Sequence, residues 1–200
     1  MRLSIIMPTI SGREESCAAM VAAYRERTPG VDLEIVTPKD YPSWPAGCNA
    51  GQVIATGDIL HFAADDLEPL PGWWEPALAC VEAGFVPAPQ LWDFAKSDTP
   101  PVNERADGPP GSLTAFSRVP TLTREMAEAI GPWPLMDYYA DNWVSDAARV
   151  KGWETRVTAG YAFVHHWHQH GRLDQPGWQA RSVPAYNAAR AALGLGPVSG

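Results

Sequence analysis

The chain has few cysteines and no long apolar run, and each shortage excludes a class of protein. Its 200 residues include three cysteines, which lie far apart and form no C-x-x-C pair. We therefore expect reduced, buried thiols rather than a cysteine-based zinc site. No apolar run approaches the ~18 residues that a membrane span needs. The run at residues 3–7 is too short for the apolar region of a secretory leader, so the expected compartment is the cytoplasm.

Basic residues are also scarce, since 15 lysines and arginines face 23 acidic residues and give a net charge of −8. This balance disfavours binding to nucleic acid or to anionic membranes, which requires basic patches. A composition of 46% hydrophobic and 19% charged residues excludes a disordered tail or a coiled coil. A chain of this length buries roughly 70% of its unfolded surface, which is enough for one domain with a real core. The 20 prolines indicate long ordered loops, where binding sites commonly lie.

The apolar runs and turn signals alternate in a way that predicts an α/β domain. The first elements read strand, helix, strand, an order that favours a parallel sheet with right-handed crossovers. Neither an internal repeat nor a domain linker is visible, and residues 93–112 form a polar, proline-rich surface loop. The predicted strands span residues 3–7, 31–36, 58–64, 84–88, 113–116, 153–157 and 161–164, and the predicted helices span residues 11–27, 45–55, 71–83, 123–130, 139–150 and 183–193.

Two adjacent acids, Asp65 and Asp66, come directly after the third predicted strand. Carboxylates cannot stay buried there without a partner, and this end of a strand is where open α/β sheets bind ligands. Hard oxygen ligands in this place suit Mg²⁺ or Mn²⁺ that carries a diphosphate. The alternative is that Asp66 caps the next turn while Asp65 is solvated.

The motifs around this acidic pair occur in an order that resembles a known family. Asn49-x-Gly51 and Ala55-x-Gly57-Asp58 precede the strand, and Pro69-x-Pro71-Gly72-Trp73 comes after the acids. Together they resemble the donor-binding core of GT-A-type, family-two-like glycosyltransferases. The loop Pro8-Thr9-Ile10-x-Gly12-Arg13 also resembles the first nucleotide-binding loop of that family, and the resemblance extends to about residue 170.

The resemblance implies a three-layer α/β/α sandwich with a mostly parallel central sheet. Residues 1–92 would form the nucleotide-sugar-binding half, residues 93–112 the surface loop, and residues 113–200 the acceptor-side half with a C-terminal tail. The implied activity is metal-dependent, inverting transfer of a sugar from a UDP- or GDP-sugar to the hydroxyl of an unknown acceptor.

On the donor side, the resemblance assigns roles to individual positions of this sequence. Asp66 aligns with the acid that binds the metal, Mn²⁺ or Mg²⁺, whereas Ala64 replaces the first acid of the family motif. Asp40 stands where the family often has an aspartate that contacts the nucleobase. The residues implied to bind the nucleotide-sugar are Pro8, Thr9, Arg13, Asp40, Asn49 and Asp65.

On the acceptor side, residues 138–153 resemble a family helix that opens with an acidic pair and ends arginine-x-x-glycine. Counting back from Gly152 places Asp141 on the second acid, the catalytic base of inverting members, and Ala140 on the first. Two alternatives stay open: Asp141 is only an N-cap, or Asp146 is the relevant acid. Most tryptophans are expected in the core, although Trp133 or Trp143 could offer a stacking face to an acceptor sugar.

Four of the five histidines fall within residues 165–170. In the family, a late histidine-x-histidine pattern completes the coordination of the donor-bound metal, which implies His166 first and His168 next. The alternatives are a surface loop of loosely paired imidazoles and a zinc hydrolase centred on this cluster. A further alternative, suggested by Ala64 and Ala140, is a glycosyltransferase-like binding protein without catalytic activity.

Overall fold

The computed structural model describes residues 1–93, 111, 113–114, 116–136, 138–166 and 178–198. Strands and helices alternate along the N-terminal half, as the sequence predicts. The elements are β1 (Arg2–Ile6), α1 (Glu14–Arg27), β2 (Asp32–Val36), α2 (Trp44–Ile54), β3 (Ile59–Phe62), β4 (Leu67–Pro69), α3 (Trp74–Glu82), β5 (Val86–Asp93), β6 (Leu113–Thr114), β7 (Thr121–Thr123), α4 (Arg124–Ile130), α5 (Ala140–Val150), β8 (Thr155–His165) and α6 (Trp178–Ala192).

One sheet has the strand order β2-β1-β3-β7. The central strand β1 runs parallel to both β2 and β3, and only β7 is antiparallel. Ile6 pairs with both Val36 and Phe62, so the carboxyl ends of three strands meet at the same edge. The predicted parallel α/β arrangement is therefore confirmed for these strands.

A second sheet has the order β4-β8-β5, with β6 also paired to β8. It is mixed, because β8 is parallel to β5 and antiparallel to β4 and β6. The sequence predicts two short strands, 153–157 and 161–164, where the structure has the single strand β8. Gly160 adopts a φ of 73° inside it, and the pairing with β5 shifts register between Ala88 and Gln90. One strand with a β-bulge therefore spans both segments that the sequence predicts as separate strands.

Helix α2 packs unusually closely on the end of β1, and this explains its small residues. A Cβ at Gly47 would lie 2.6 Å from Pro8 Cβ, and one at Gly51 would lie 2.4 Å from Ile6 Cγ2. Both distances are shorter than real side chains permit, so only glycine allows the helix to approach. The glycine of the Asn49-x-Gly51 motif therefore has a packing role that needs no ligand.

The remaining expectations have clear outcomes. Cys17 and Cys48 are buried free thiols, as predicted, whereas Cys80 is a free thiol that is only partly buried. The short strand β7 was not predicted, because three residues carry too little periodicity. Most of the predicted loop at residues 93–112 lies outside the described residues. Within the part of the chain that the structure describes, no helix is long and apolar enough to cross a membrane.

Candidate functional site

The candidate site is built by the loops at the ends of three parallel strands. After β1 the backbone N–H of Thr9 donates to Pro38 O at 2.9 Å, and Asp40 N–H donates back to Thr9 O at 3.0 Å. After β3, Ala63 N–H donates to Ile6 O at 2.9 Å. These backbone bonds hold the three loops together at the carboxyl edge of the sheet, where ligands bind in α/β folds.

Asp65 is the buried centre of this edge, with only 4% of its surface exposed. Its Oδ1 lies 2.9 Å from Arg13 Nη2, and its Oδ2 accepts a hydrogen bond of 2.7 Å from Thr9 Oγ1. Its carbonyl oxygen accepts from Ser16 Oγ at 2.7 Å. The alternative that Asp65 is solvated is therefore wrong. Both carboxylate oxygens instead fix the predicted site residues Thr9 and Arg13.

Asp66 faces two cationic or potentially cationic groups. Its Oδ2 lies 3.7 Å from Arg13 Nη2 and 3.7 Å from His165 Nε2, and its side chain is one-fifth exposed. Sequence reasoning missed His165, because it selected His166 and His168 from the histidine cluster. His165 reaches Asp66 through the pairing of two strands. Strand β4 begins at Leu67, immediately after Asp66, and Leu67 pairs with His165.

His166, the histidine expected to bind the metal ion, contacts the carboxylate of Glu68. Its Nε2 lies 2.7 Å from Glu68 Oε2, and the other oxygen of Glu68 lies 2.5 Å from Arg27 Nη1. Burial raises the pKa of Glu68, but the hydrogen bonds from His166 and Arg27 outweigh it and leave the pKa below its ordinary value. His168 lies outside the described residues. Metal binding by His166 and His168 thus stays a prediction.

The residues beside the acidic pair suit a divalent cation that arrives with a ligand. No group of three or more potential metal ligands is assembled among the described residues. Asp66 and His165 nevertheless bring a carboxylate and an imidazole together. Mg²⁺ is commonly held by one or two protein carboxylates, with substrate phosphates and waters completing its shell. The Asp66 carboxylate therefore fits such an ion, with Asp65 left to hold Arg13.

Asp40 and Asn49, two predicted donor-binding residues, have structural contacts of their own. Asp40 has a φ of 60°, and its carboxylate accepts from the N–H and the hydroxyl of Ser11 at 2.7 and 2.8 Å. These hydrogen bonds lower the pKa of Asp40. The amide of Asn49 donates to Trp133 O at 2.9 Å and accepts from Trp133 N–H at 2.8 Å. Asn49 therefore fixes the loop after α4, and contact with a donor stays a prediction for both.

Asp141 lies in the first turn of α5, which begins at Ala140. The N-cap of the helix is Tyr139, so the alternative that Asp141 is only an N-cap is wrong. Its Oδ1 accepts from Asn142 N–H at 2.9 Å. Burial raises the pKa of Asp141 to about 6, against the opposing effects of this hydrogen bond and of the charge on Arg118. A carboxyl with this pKa is ionised at neutral pH and is a better proton acceptor than an ordinary aspartate.

Three other acceptor-side residues are part of the packed interior. Asp146 is 3% exposed and accepts from Tyr186 Oη at 2.7 Å, so it is a structural residue rather than an alternative base. Trp133 and Trp143 are 2% and 6% exposed. Neither ring has a free face, and the hypothesis that one of them stacks on an acceptor sugar is wrong.

The sequence matches no protein family and no curated protein. Among solved structures, the chain is similar to S. aureus TarS. It matches TarS with a TM-score of 0.62 at 11% identity, and TarS 1–349 in complex with UDP-GlcNAc with a TM-score of 0.64 at 10% identity. The fold is that of a GT-A-like glycosyltransferase.

A second structure of TarS 1–349 gives a TM-score of 0.60 at 10% identity. Each match covers 94% of this chain but only 39%, 66% and 65% of the respective TarS chains. The GT-A-like fold confirms the predicted fold class. At these identities the likeness concerns the fold, and the roles of individual residues depend on the local geometry of this chain.

Proposed function

We propose that this protein is a glycosyltransferase that moves a sugar from a nucleotide-sugar to an acceptor hydroxyl with inversion at the anomeric carbon. The observation that carries the proposal is the Thr9–Asp65–Arg13 cluster beside Asp66, at the carboxyl edge of the parallel strands in a GT-A-like fold. The UDP-GlcNAc complex of TarS supports a nucleotide-sugar, such as a UDP- or GDP-sugar, as the donor class.

On the donor side, Arg13 binds the diphosphate. Asp65, which accepts a hydrogen bond from Thr9, holds its guanidinium in place before the donor arrives, so little side-chain freedom is lost on binding. A guanidinium gives strong, charge-assisted hydrogen bonds to phosphate oxygens. Asp66 and His165 hold the divalent cation, with His166 and His168 as the ligands implied by the family resemblance. When bound, Mn²⁺ or Mg²⁺ supplies positive charge that stabilises the leaving diphosphate.

On the acceptor side, Asp141 is the general base. Its carboxylate accepts the proton of the acceptor hydroxyl as the new C–O bond forms and the bond between the sugar and the nucleoside diphosphate breaks. Attack from the face opposite the leaving group inverts the anomeric centre. The raised pKa of Asp141, about 6, supports this role because the group is basic enough to take the proton and still ionised at neutral pH.

The test is binding and turnover of UDP-GlcNAc, UDP-glucose and GDP-mannose, each with Mn²⁺ and with EDTA, using water as the acceptor. We expect Mn²⁺-dependent binding of at least one donor and its slow hydrolysis, with turnover about 10²–10⁴-fold lower in Asp141→Asn. Binding without turnover in the presence of cell-derived acceptors would favour a binding protein. Zinc retained through purification together with phosphate-ester hydrolysis would favour a hydrolase. The absence of donor binding under every condition would reject the proposal.

A further inference from the structure

The backbone just before α5 is held in an uncommon conformation. Tyr139 has a φ of 70°, in the left-handed region, and among the described non-glycine residues only Asp40 shares a positive φ. Such a conformation is unfavourable for a residue that has a Cβ, and it persists only when surrounding contacts enforce it. Tyr139 makes no side-chain capping bond to the helix. Its ring, by contrast, makes close contacts beside the turn.

Those contacts are aromatic and come from two sides. The ring of Tyr139 stacks on that of Tyr186 in α6, with centroids 4.9 Å apart and planes inclined by 10°. Tyr138 packs edge-on against it at 4.5 Å and 66°. Stacked and edge-to-face pairs are favourable beyond the area that they bury. Both pairs therefore favour the left-handed turn.

Tyr186 is itself fixed to α5. It is 5% exposed, and its hydroxyl donates to Asp146 Oδ2 at 2.7 Å. Arg149 and Arg190 pair with the same carboxylate, which is thereby charge-compensated although buried. These contacts fix α6 to α5, the helix that carries Asp141. Tyr186 takes part in them and also stacks on Tyr139.

We propose that Tyr186 is a positioning residue, which holds the left-handed turn at Tyr139 by ring stacking and so orients the Asp141 carboxylate toward the acceptor. The proposal rests on the proposed function for its catalytic consequence. Asp141 lies two residues after Tyr139, so a change in the backbone of Tyr139 re-aims the first turn of α5. A misplacement of about 1 Å in a reacting group can cost 10²-fold in rate.

The environment of Asp141 gives a readout that does not require a known substrate. Burial is the main cause of its raised pKa of about 6, so release of the turn would hydrate the carboxyl and move its pKa toward the ordinary 3.8. Arg118, in the loop between β6 and β7, carries a positive charge that lowers the pKa of Asp141. Asp146 on α5 is paired with Arg149 on the same helix and with Arg190 on α6, and none of these three residues is substituted in the test variants.

Four variants separate stacking from hydrogen bonding and from general stability. Tyr186→Leu removes the ring, whereas Tyr186→Phe keeps the ring and removes only the hydroxyl. Tyr139→Ala removes the stacked ring and leaves the positive φ unfavourable. The chain is expected to fold, because Tyr139 is only partly buried. Val81→Ala, in a separate buried cluster around α3, is a control for stability loss alone. The measurements are the pKa of Asp141, by NMR of ¹³C-labelled aspartate with Asp141→Asn for assignment, and the kcat and KM of donor hydrolysis.

We expect Tyr186→Leu and Tyr139→Ala to lower the pKa of Asp141 by one unit or more and to lower kcat by 10- to 100-fold with KM for the donor unchanged. Tyr186→Phe should keep a pKa near that of the parent, and Val81→Ala should change neither quantity. If Tyr186→Leu does not fold, Tyr139→Ala decides. An unchanged pKa of Asp141 in the folded variants would overturn the proposal. A shifted pKa combined with full activity of Asp141→Asn would keep the positioning role and reject Asp141 as the base.

Discussion

Arg13 Nη2 lies 2.9 Å from Asp65 Oδ1 and 3.7 Å from Asp66 Oδ2, so one guanidinium faces both acids of the pair. The two acids have different environments, because Asp65 is buried while Asp66 is one-fifth exposed. This difference separates their roles. Asp65 orients Arg13, and Asp66 remains accessible to a ligand or an ion.

We predict that Arg13→Ala weakens binding of UDP about 10- to 100-fold, as expected for the loss of hydrogen bonds to a charged group worth about 1.5–3 kcal/mol. Asp65→Asn should weaken it less, because the amide can still accept from Thr9 but no longer attracts the guanidinium. Titration calorimetry in EDTA measures this effect without a metal. The matched control is Arg25→Ala, an exposed arginine on α1, the helix that follows Arg13. Equal affinities of Arg13→Ala and Arg25→Ala for UDP would show that Arg13 does not contact the diphosphate.

We predict that Asp66→Asn abolishes the Mn²⁺-dependent part of UDP affinity while leaving the fold intact. An amide is a much weaker ligand than a carboxylate for a hard divalent cation. Thermal unfolding with UDP, in Mn²⁺ and in EDTA, measures the effect, since a ligand at 100 times its Kd adds about 2.7 kcal/mol of stability. Asp32→Asn, at the opposite end of the parallel strands, is the control. A Mn²⁺ effect of the same size in Asp66→Asn and in the parent would remove Asp66 from the metal site.

Local patterns in the sequence predicted the parallel strands and the acidic pair, because apolar runs mark the strands and the two acids stand directly at the end of one run. The partners of these residues depend on which distant strands pair. His165 reaches Asp66 only because β8 pairs with β4, and Asn49 is bonded to Trp133 far along the chain. The left-handed turn at Tyr139 could not be predicted either, since its ring stacks on a ring from α6. Contacts between residues this far apart in the chain produce no local periodicity in the sequence.

A buried histidine predicts how stability depends on pH. His61 is fully buried in β3 between Tyr24 Oη at 3.1 Å and Thr121 Oγ1 at 2.9 Å. Burial lowers its pKa from 6.5 to about 3. The unfolded state therefore binds a proton at a higher pH than the folded state, and stability that is fully present above pH 6.5 is lost as the pH falls toward 3. From pH 6.5 to 5 this single group should cost roughly 2 kcal/mol.

Urea unfolding of the parent and of His61→Gln, between pH 7.5 and 5, measures this contribution. Glutamine can replace both hydrogen bonds but does not titrate, so the free energy of unfolding of the variant should fall less steeply with pH. Comparing the two profiles removes the contributions of the other histidines. Parallel profiles over this range would show that His61 is not buried in its neutral form.

The last prediction concerns Asp141 and decides between an enzyme and a binding protein. Asparagine keeps the shape of the side chain and can still accept from Asn142 N–H, but it cannot take a proton. We predict that Asp141→Asn lowers turnover by about 10²–10⁴, the usual contribution of a general base, with donor affinity unchanged. Because burial raises the pKa of Asp141 to about 6, turnover of the parent should fall tenfold per pH unit below pH 6. The residual turnover of Asp141→Asn should not fall in this way as the pH is lowered below 6. Near-parental turnover of the variant, with the same pH profile, would show that Asp141 is not the base.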